Sequence, residues 1–252
     1  MNLILAQAEG TLYPRRCPFC DRVLGKVPDC SPCAEPAKKL QLHPFRLSPQ
    51  EHCLEGLDGA ASVFHYAGAV REAVHRMKYS GRACYCAEMG RMMAQSLFDC
   101  TFSMHGGIIK LYSALPAALE YDVIVPVPAS DAKRGFNPPQ RIAAVLADAL
   151  GLPLVPEALI KTRSTPRQHT LSRQERLVNL TGAFRADPEK LPENARVLLV
   201  DDVITTGGTV TACAAALRKA GAHSVIAVSL AATQLADTQE RIRRQASPAG
   251  LS

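Results

Sequence analysis

The segment formed by residues 196–222 constrains the fold more than any other part of the chain. Its continuous apolar run, residues 197–200, predicts a buried strand, and Asp201 and Asp202 stand at the end of that strand. A short turn rich in glycine and threonine follows, and then an amphipathic helix that ends near Gly221. A buried strand, a turn and a helix in this order are typical of one half-unit of a parallel α/β sheet.

The polar groups at the end of this strand indicate the class of ligand. Ligands of open parallel sheets bind beyond the carboxyl ends of the strands. Carboxylates there suit ribose hydroxyls and a hydrated Mg²⁺, whereas the N–H groups of the turn and of the helix N-terminus suit a phosphate. A sugar phosphate is the ligand that needs both. The segment lacks the lysine of the P-loop pattern GxxxxGK[ST], and no GxGxxG follows the strand, so neither of those nucleotide sites is predicted.

The length and net charge of the chain limit the size of its fold and the kinds of partner that it can bind. The chain has 252 residues, which allows one sizeable core and a small additional module. Its formal net charge of +6 is compatible with an anionic partner, such as a phosphorylated metabolite, nucleic acid or an acidic protein face, although a solvated surface explains it about as well. No apolar run is long enough to span a bilayer, and the N-terminal sequence lacks the features of a secretory signal. We therefore expect no membrane span and a cytoplasmic location.

Four cysteines near the N-terminus are spaced as two CxxC pairs, Cys17 with Cys20 and Cys30 with Cys33. Each pair directs two thiolates at one ion, and two pairs complete a tetrahedral site, so we predict one structural zinc. The segment has few large apolar residues, and the metal would therefore supply most of its stability. Reduced thiols or a redox pair are the alternative. Cys53 has no CxxC partner and is not predicted to be a ligand.

Hydrophobic patterning predicts several elements in the middle of the chain. Residues 35–59 are expected to be an irregular linker with at most one short ordered piece, and residues 61–66 a strand. Two amphipathic helices follow, at residues 70–78 and 87–98. The basic run at residues 76–82 could contact phosphates, but a solvated helix end is the preferred interpretation.

Three further cysteines, Cys84, Cys86 and Cys100, are predicted to pack as small apolar side chains. The CYC sequence is interpreted as part of a strand, in which the thiols of Cys84 and Cys86 point to opposite faces and cannot share a metal. Residues 101–118 are too weakly patterned to give a prediction.

A second strand–loop–helix unit is predicted from residue 123 onward. Residues 123–128 are a short apolar strand that runs into a proline-bounded turn, and the helix after it ends at Gly151. Its loop would open at the same edge as the acidic strand, where Arg134 could bind a multiply phosphorylated ligand or, equally well, cap a surface turn. The basic segment 161–176 is predicted to be an exposed loop, with a function only if it folds over an anionic site, as lid loops do.

Several motifs, in the same order along the chain, give it a family resemblance. The segment VLLVDDVITTGGT resembles the phosphoribosyl-diphosphate (PRPP) motif of type I phosphoribosyltransferases. The chain also resembles the ComF family, the competence-associated, phosphoribosyltransferase-like proteins of bacteria. This resemblance lies in the N-terminal cysteine pairs and in the segments VIVPVPASDAKRGFNPPQ and TRSTPRQHTLSRQERLVNL. The match covers nearly the whole chain.

The resemblance implies a fold and its division into parts. The fold class is α/β, with a type I phosphoribosyltransferase-like parallel sheet flanked by helices and a small N-terminal four-cysteine zinc module. Residues 1–60 would be the zinc-binding module and linker, and residues 61–235 the phosphoribosyltransferase-like domain. Residues 236–252 would form a polar C-terminal tail.

The resemblance also implies roles for individual residues. Asp201 and Asp202 would bind the ribose 2- and 3-hydroxyls, and Mg²⁺ would enter with PRPP. The turn that cradles the 5-phosphate would comprise Thr205, Thr206, Gly207, Gly208 and Thr209. The pyrophosphate loop would comprise Val127, Pro128 and Ala129. The mobile loop that covers the site in related transferases would correspond to the basic segment from Arg163 to Arg173.

Three functions from different classes are open. One is an enzyme of nucleotide metabolism that transfers a phosphoribosyl group to or from an unknown nitrogenous acceptor. Another is a PRPP or nucleotide sensor without turnover. The third is an accessory protein of DNA uptake that binds single-stranded DNA or a helicase-like partner, although few aromatic residues lie beside the basic ones to stack on bases. The acceptor and the oligomeric state cannot be predicted.

Overall fold

The computed structural model describes residues 14–49, 51–105, 108–113, 120–129, 135–163, 180 and 182–233. Within these ranges the α-helices are α1 (Ser31–Lys38), α2 (Gly68–Tyr79), α3 (Tyr85–Phe98), α4 (Pro138–Leu150) and α5 (Gly208–Lys219). The strands are β1 (Gly59–His65), β2 (Thr101–His105), β3 (Ile108–Tyr112), β4 (Val123–Pro126), β5 (Leu159–Lys161), β6 (Phe184–Ala186), β7 (Arg196–Ile204) and β8 (Ser224–Ala232). None of the helices in these ranges is both long enough and apolar enough to cross a membrane.

Four of the strands form a parallel sheet in the order β1–β8–β7–β4. β7 lies inside this sheet and pairs with β8 along its length, ending with Ile204 opposite Ala232. Its other neighbour is the short β4, which ends at Pro126 opposite Val200. Since all four strands run in the same direction, their carboxyl ends lie along one edge of the sheet.

Helices cover both faces of the sheet, and the side chains of β7 alternate between them. Leu198 packs in the core that includes side chains of α2, α3 and α4. Leu199 packs in the core that includes side chains of α5. This period of two continues through the acidic pair, so that Asp201 faces the side of α5 and Asp202 faces the side of α2.

Several predicted elements are confirmed. β1, α2, α3 and β4 lie within a few residues of their predicted positions. The helix predicted after the proline-bounded turn is α4, which begins at Pro138 and Pro139 and ends before Gly151. Proline suits the first positions of a helix because the backbone N–H that it lacks would have no partner there.

Two predictions about strands are wrong. β7 does not end at Val200 but continues to Ile204, because β8 offers hydrogen-bonding partners along the whole of this stretch. Asp201 and Asp202 therefore lie inside the sheet rather than beyond its edge. The CYC sequence is not a strand, since Cys84 is the residue before α3 and Cys86 lies in the first turn of that helix.

The other predictions for the middle of the chain have mixed outcomes. Cys86 and Cys100 are buried as predicted, whereas Cys84 is exposed because it precedes the helix instead of facing the core. The region expected to be an irregular linker contains the end of α1 and two short antiparallel bridges to β1. The weakly patterned region contains the antiparallel pair β2–β3.

Candidate functional site

The carboxyl edge of the sheet brings together the two turns predicted to bind a sugar phosphate. The turn of residues 127–129 follows β4, and the turn of residues 205–209 follows β7, the neighbouring strand. The backbone N–H of Val127 donates to the carbonyl of Val200 at 2.8 Å, which fixes the first turn against β7. Asn137, the residue before α4, donates from Nδ2 to the carbonyl of Val127 at 2.9 Å.

The acidic pair is almost completely buried, with 8% of Asp201 and 4% of Asp202 exposed. The carboxylate of Asp201 accepts a hydrogen bond from the backbone N–H of Asp202 at 2.8 Å. Asp202 forms an ion pair with Lys78, whose Nζ lies 2.8 Å from Oδ1 of the carboxylate. Lys78 belongs to the last turn of α2, so this helix supplies a positive charge to the acidic pair.

Burial and charge together set the protonation of this cluster. Removal from water raises the pKa of the Asp201 carboxyl to about 7, and the neighbouring charge of Asp202 adds to this effect. Burial acts to lower the pKa of Lys78, but the negative charge around it, chiefly that of Asp202 and also that of Asp201, outweighs burial, so the pKa of Lys78 is raised. Near neutral pH, Lys78 is therefore charged and Asp201 can hold or release a proton.

The turn of residues 205–209 has a backbone conformation at its centre that favours glycine. Gly207 has a φ of 87° and is the N-cap residue of α5, whose first residue is Gly208. A Cβ built on Gly207 would lie 2.1 Å from the carbonyl oxygen of Cys53. The first N–H groups of a helix have no partner within the helix and can bind phosphate oxygens. The turn therefore offers phosphate-binding groups a few residues beyond the acidic pair.

Residues from distant parts of the chain support this turn. The N–H of Cys53 donates to the carbonyl of Thr206 at 2.8 Å, and the hydroxyl of Thr211 donates to the carbonyl of Cys53 at 2.7 Å. Thr233 donates from Oγ1 to the carbonyl of Thr205 at 3.0 Å. No sequence pattern predicts this role of Cys53, because it depends on contacts of the Cys53 backbone with residues more than 150 positions away.

The basic run at residues 76–82 makes contacts within the protein. Lys78 pairs with Asp202, and Arg76 donates to two backbone carbonyls between the first pair of cysteines. Arg82 lies 3.2 Å from the carboxylate of Asp21. The prediction of a solvated helix end is therefore wrong for Lys78 and Arg76, because acceptors from distant segments meet these two side chains.

The four cysteines predicted to bind zinc converge on one point. The sulfur atoms of Cys17, Cys20, Cys30 and Cys33 all lie within 4.8 Å of one another. Those of Cys20 and Cys30 are 3.6 Å apart. A tetrahedral zinc with Zn–S bonds of about 2.3 Å separates its sulfurs by about 3.8 Å. The donor set therefore fits a structural zinc that would use all four thiolates.

Ionic contacts join the cysteine module, residues 14–38, to α3. Glu88 accepts from the guanidinium of Arg15 at 2.6 Å. Arg91, which is also buried, lies 2.7 Å from the carboxylate of Asp29. Groups other than the metal ligands therefore also hold the module against the helices.

The predicted basic residues of the site are only partly described. Arg163 is exposed and lies two residues beyond β5. Arg134 and Arg173 lie outside the described residues. Anion binding by these three arginines therefore stays a prediction.

Comparison with known proteins identifies the family. A family profile described as "Phosphoribosyl transferase domain" matches residues 112–247, more than half of the chain. The DNA utilization protein YhgH of Salmonella typhi is 31% identical over 217 residues, which cover 83% of this chain and 86% of that protein. Competence protein F of Haemophilus influenzae is 26% identical over 214 residues, with the same coverage of both chains. Adenine phosphoribosyltransferase of Chlorobium luteolum is 37% identical over 107 residues, 42% of this chain and 54% of that protein.

The profile covers β4, β7, α5 and β8, the elements that carry both turns and the acidic pair. The Salmonella typhi and Haemophilus influenzae relatives match more of the chain than the profile does. The chain belongs to the phosphoribosyl transferase domain family and, within it, to the ComF family.

Proposed function

We propose that this protein binds PRPP, or a related ribose 5-phosphate, together with Mg²⁺ at the carboxyl edge of the sheet, and that it transfers the phosphoribosyl group. One observation carries the proposal. A buried pair of acids, Asp201 and Asp202, lies near the end of the strand that leads into a glycine turn at the N-terminus of α5, in a chain of the phosphoribosyl transferase domain family. The acids suit the hydroxyls of a sugar phosphate, and the turn that follows the strand suits its phosphate.

Each part of the ligand has a candidate partner. Asp201 and Asp202 would accept hydrogen bonds from the ribose hydroxyls, and the turn of residues 205–209 would bind the 5-phosphate through its N–H groups. The turn of residues 127–129 would face the diphosphate. Positive charge for the diphosphate would come from three arginines, Arg134, Arg163 and Arg173.

The reaction needs little covalent help from the protein. The bond from ribose C1 to the diphosphate oxygen breaks with its electrons leaving on oxygen, while a nitrogen of the acceptor forms the new bond to C1 and releases its proton to solvent. The transition state resembles an oxocarbenium ion, so the protein contributes by positioning the ribose and by placing negative groups near the ring. Bound Mg²⁺ would neutralise charge on the departing diphosphate.

The names of the relatives favour a role in the handling of DNA. The Salmonella typhi relative is named as a DNA utilization protein, and the Haemophilus influenzae relative as a competence protein. We propose that this protein acts in the same process, DNA uptake and use, through its sugar-phosphate site. A cytoplasmic location is part of this proposal, because the nine cysteines are interpreted as metal ligands and core thiols rather than as a disulfide framework.

Calorimetric titration of PRPP and Mg²⁺ into the protein tests the binding site. Asp201→Asn removes a carboxylate that would hold a ribose hydroxyl, and we expect it to weaken binding about tenfold. Asp148→Asn is the matched control, because Asp148 is exposed on α4 and the substitution also removes one carboxylate. This control should bind PRPP like the wild type.

The outcomes separate the three functions. Binding together with release of pyrophosphate in the presence of a nucleobase or amine supports a transferase. Binding without pyrophosphate release over a panel of acceptors supports a sensor. No heat with the wild type contradicts both, and single-stranded DNA binding that is unchanged in Asp201→Asn then favours an accessory protein that works without the sugar-phosphate site.

A further inference from the structure

Lys78 is a half-buried cation that no motif of the family resemblance includes. Its side chain is 23% exposed and its partner, the Asp202 side chain, is 6% exposed. An ammonium group at such a place loses much of its hydration, and a carboxylate at 2.8 Å compensates for that loss. α2 therefore delivers a specific charge to the acidic pair.

We propose that Lys78 is a positioning residue of the ribose site, which holds the Asp202 carboxylate in the orientation that accepts a ribose hydroxyl. Lys78 acts through Asp202 and does not itself contact the sugar phosphate. The inference rests on the proposed function, since it assigns a partner to one of the two acids of that site.

The geometry of the carboxylate supports this role. An ionised carboxylate offers two oxygens as acceptors, and Lys78 engages Oδ1. A carboxylate held through one oxygen can present the other at a fixed angle to a hydroxyl, which reduces the entropy lost on binding. Asp201 also contributes to the negative charge near Lys78, but the ion pair itself is with Asp202.

The helix that carries Lys78 is itself anchored. Arg76 donates to the carbonyls of Pro18 and Phe19, which lie between the first two cysteines. Met77, between the two basic residues, is completely buried in the core beneath the sheet. The two residues that precede Lys78 therefore anchor the last turn of α2, as a positioning residue requires.

The test compares two ligands that differ in their need for Asp202. Ribose 5-phosphate would use the acids and the turn, whereas inorganic phosphate would use the turn alone. We expect Lys78→Met to weaken ribose 5-phosphate binding about tenfold and to change phosphate binding less than about twofold. Arg71→Met, an exposed position on the same helix, removes the same charge and should change neither affinity.

A double-substitution cycle shows whether Lys78 acts through Asp202. Asp202→Asn alone should weaken ribose 5-phosphate binding, and adding Lys78→Met to it should cause no further loss, because the group that Lys78 positions is already gone. Lys78→Arg retains the charge and should restore most of the affinity. Lys78→Gln retains a donor without the charge and gives the same comparison if the methionine variant does not fold.

Each outcome either supports the proposal or overturns it. Equal losses for ribose 5-phosphate and phosphate would mean that Lys78 contacts the phosphate or only stabilises the fold, and either result overturns the proposal. Additive losses in the cycle would overturn it as well. If folded Lys78→Met binds ribose 5-phosphate like the wild type, the positioning role is wrong while the proposed function stands. If the wild type binds neither ligand nor PRPP, the proposed function fails and this inference fails with it.

Discussion

Gly207 and Cys53 meet through their backbones, so closely that a Cβ on Gly207 would stand 2.1 Å from the carbonyl oxygen of Cys53. This distance is far below van der Waals contact between carbon and oxygen. The same segment exchanges hydrogen bonds with Thr206 and Thr211 on either side of the glycine. The shape of the predicted phosphate turn therefore depends on a segment that precedes β1.

Replacing this glycine should destabilise the protein through two separate effects. Gly207→Ala places a side chain in a left-handed conformation and against the Cys53 carbonyl, and we expect the free energy of unfolding to fall by about 2–4 kcal/mol. Gly151→Ala is the control, because Gly151 has a φ of 66° with nothing within 4 Å of its Cβ position. In denaturant titrations, this control should lower the free energy of unfolding by only about 1 kcal/mol. Equal losses for the two variants would contradict the steric contact.

Removing the hydroxyl of Thr211 should loosen the turn with little change in side-chain shape. Thr211→Val leaves the carbonyl of Cys53 without this donor, and we expect a loss of about 1–2 kcal/mol in stability together with weaker binding of phosphate. Thr162→Val is a matched control, since the Thr162 hydroxyl donates to the carbonyl of Gly182 at 2.9 Å at an exposed position. Unchanged phosphate affinity in Thr211→Val would show that this hydrogen bond does not shape the turn.

Metal analysis tests the four-cysteine site. Protein purified without chelator should contain about one zinc per chain, as expected of a site with four thiolates. Cys30→Ser should lose the metal and lower the unfolding temperature, because a structural zinc contributes directly to folding. Cys84→Ser, at an exposed cysteine outside the cluster, should retain the metal and leave the unfolding temperature unchanged. Absence of zinc from the wild type would contradict the assignment.

Asp122 and Arg196, at the other end of the sheet, make a pH-dependent contribution to the stability of the protein. Arg196 donates from its guanidinium to both carboxylate oxygens of Asp122, at 2.7 Å and 3.0 Å, and its backbone N–H donates at 2.8 Å. These hydrogen bonds lower the pKa of Asp122 to about 2. A carboxyl whose pKa is lower in the folded state stabilises the protein above its unfolded pKa of about 4, and this contribution disappears as the pH falls toward 2.

The pH dependence can be measured on a single variant. We expect Asp122→Asn to lower the unfolding temperature by about 2–4 °C at pH 6, with the difference from the wild type narrowing below pH 4. The pair is partly exposed, so added salt should reduce the difference. Asp148→Asn serves again as the control without a comparable partner in the described part of the chain. A difference that is constant between pH 3 and pH 6 would contradict the ionic origin.

Local patterns were sufficient to predict much of the fold. The apolar run before Asp201 predicted a strand, and the amphipathic period of residues 70–78 predicted a helix that is now α2. These elements bury their apolar side chains in the pattern from which they were predicted, so the sequence contains the necessary information. The motifs also indicated the family, which the profile match and the relatives confirm.

The unpredicted features depend on contacts between distant segments. The extension of β7 through Asp202 follows from pairing with β8, and polar residues alone do not predict a strand. Lys78 belonged to a basic run of ordinary appearance, and its role depends on an acid 124 positions later. The division of the chain at residues 60 and 235, and the roles of the individual site residues, stay predictions.

The anchoring of α2 also has a consequence for dissecting the protein. A fragment that begins at residue 61 would keep every motif of the sugar-phosphate site, but it would lack the carbonyls bound by Arg76 and the Cys53 backbone behind Gly207. It would also lack the first two residues of β1, an edge strand of the sheet. A screen for ligands or inhibitors that used this fragment would therefore sample a site with altered supports, and the full chain is the proper target.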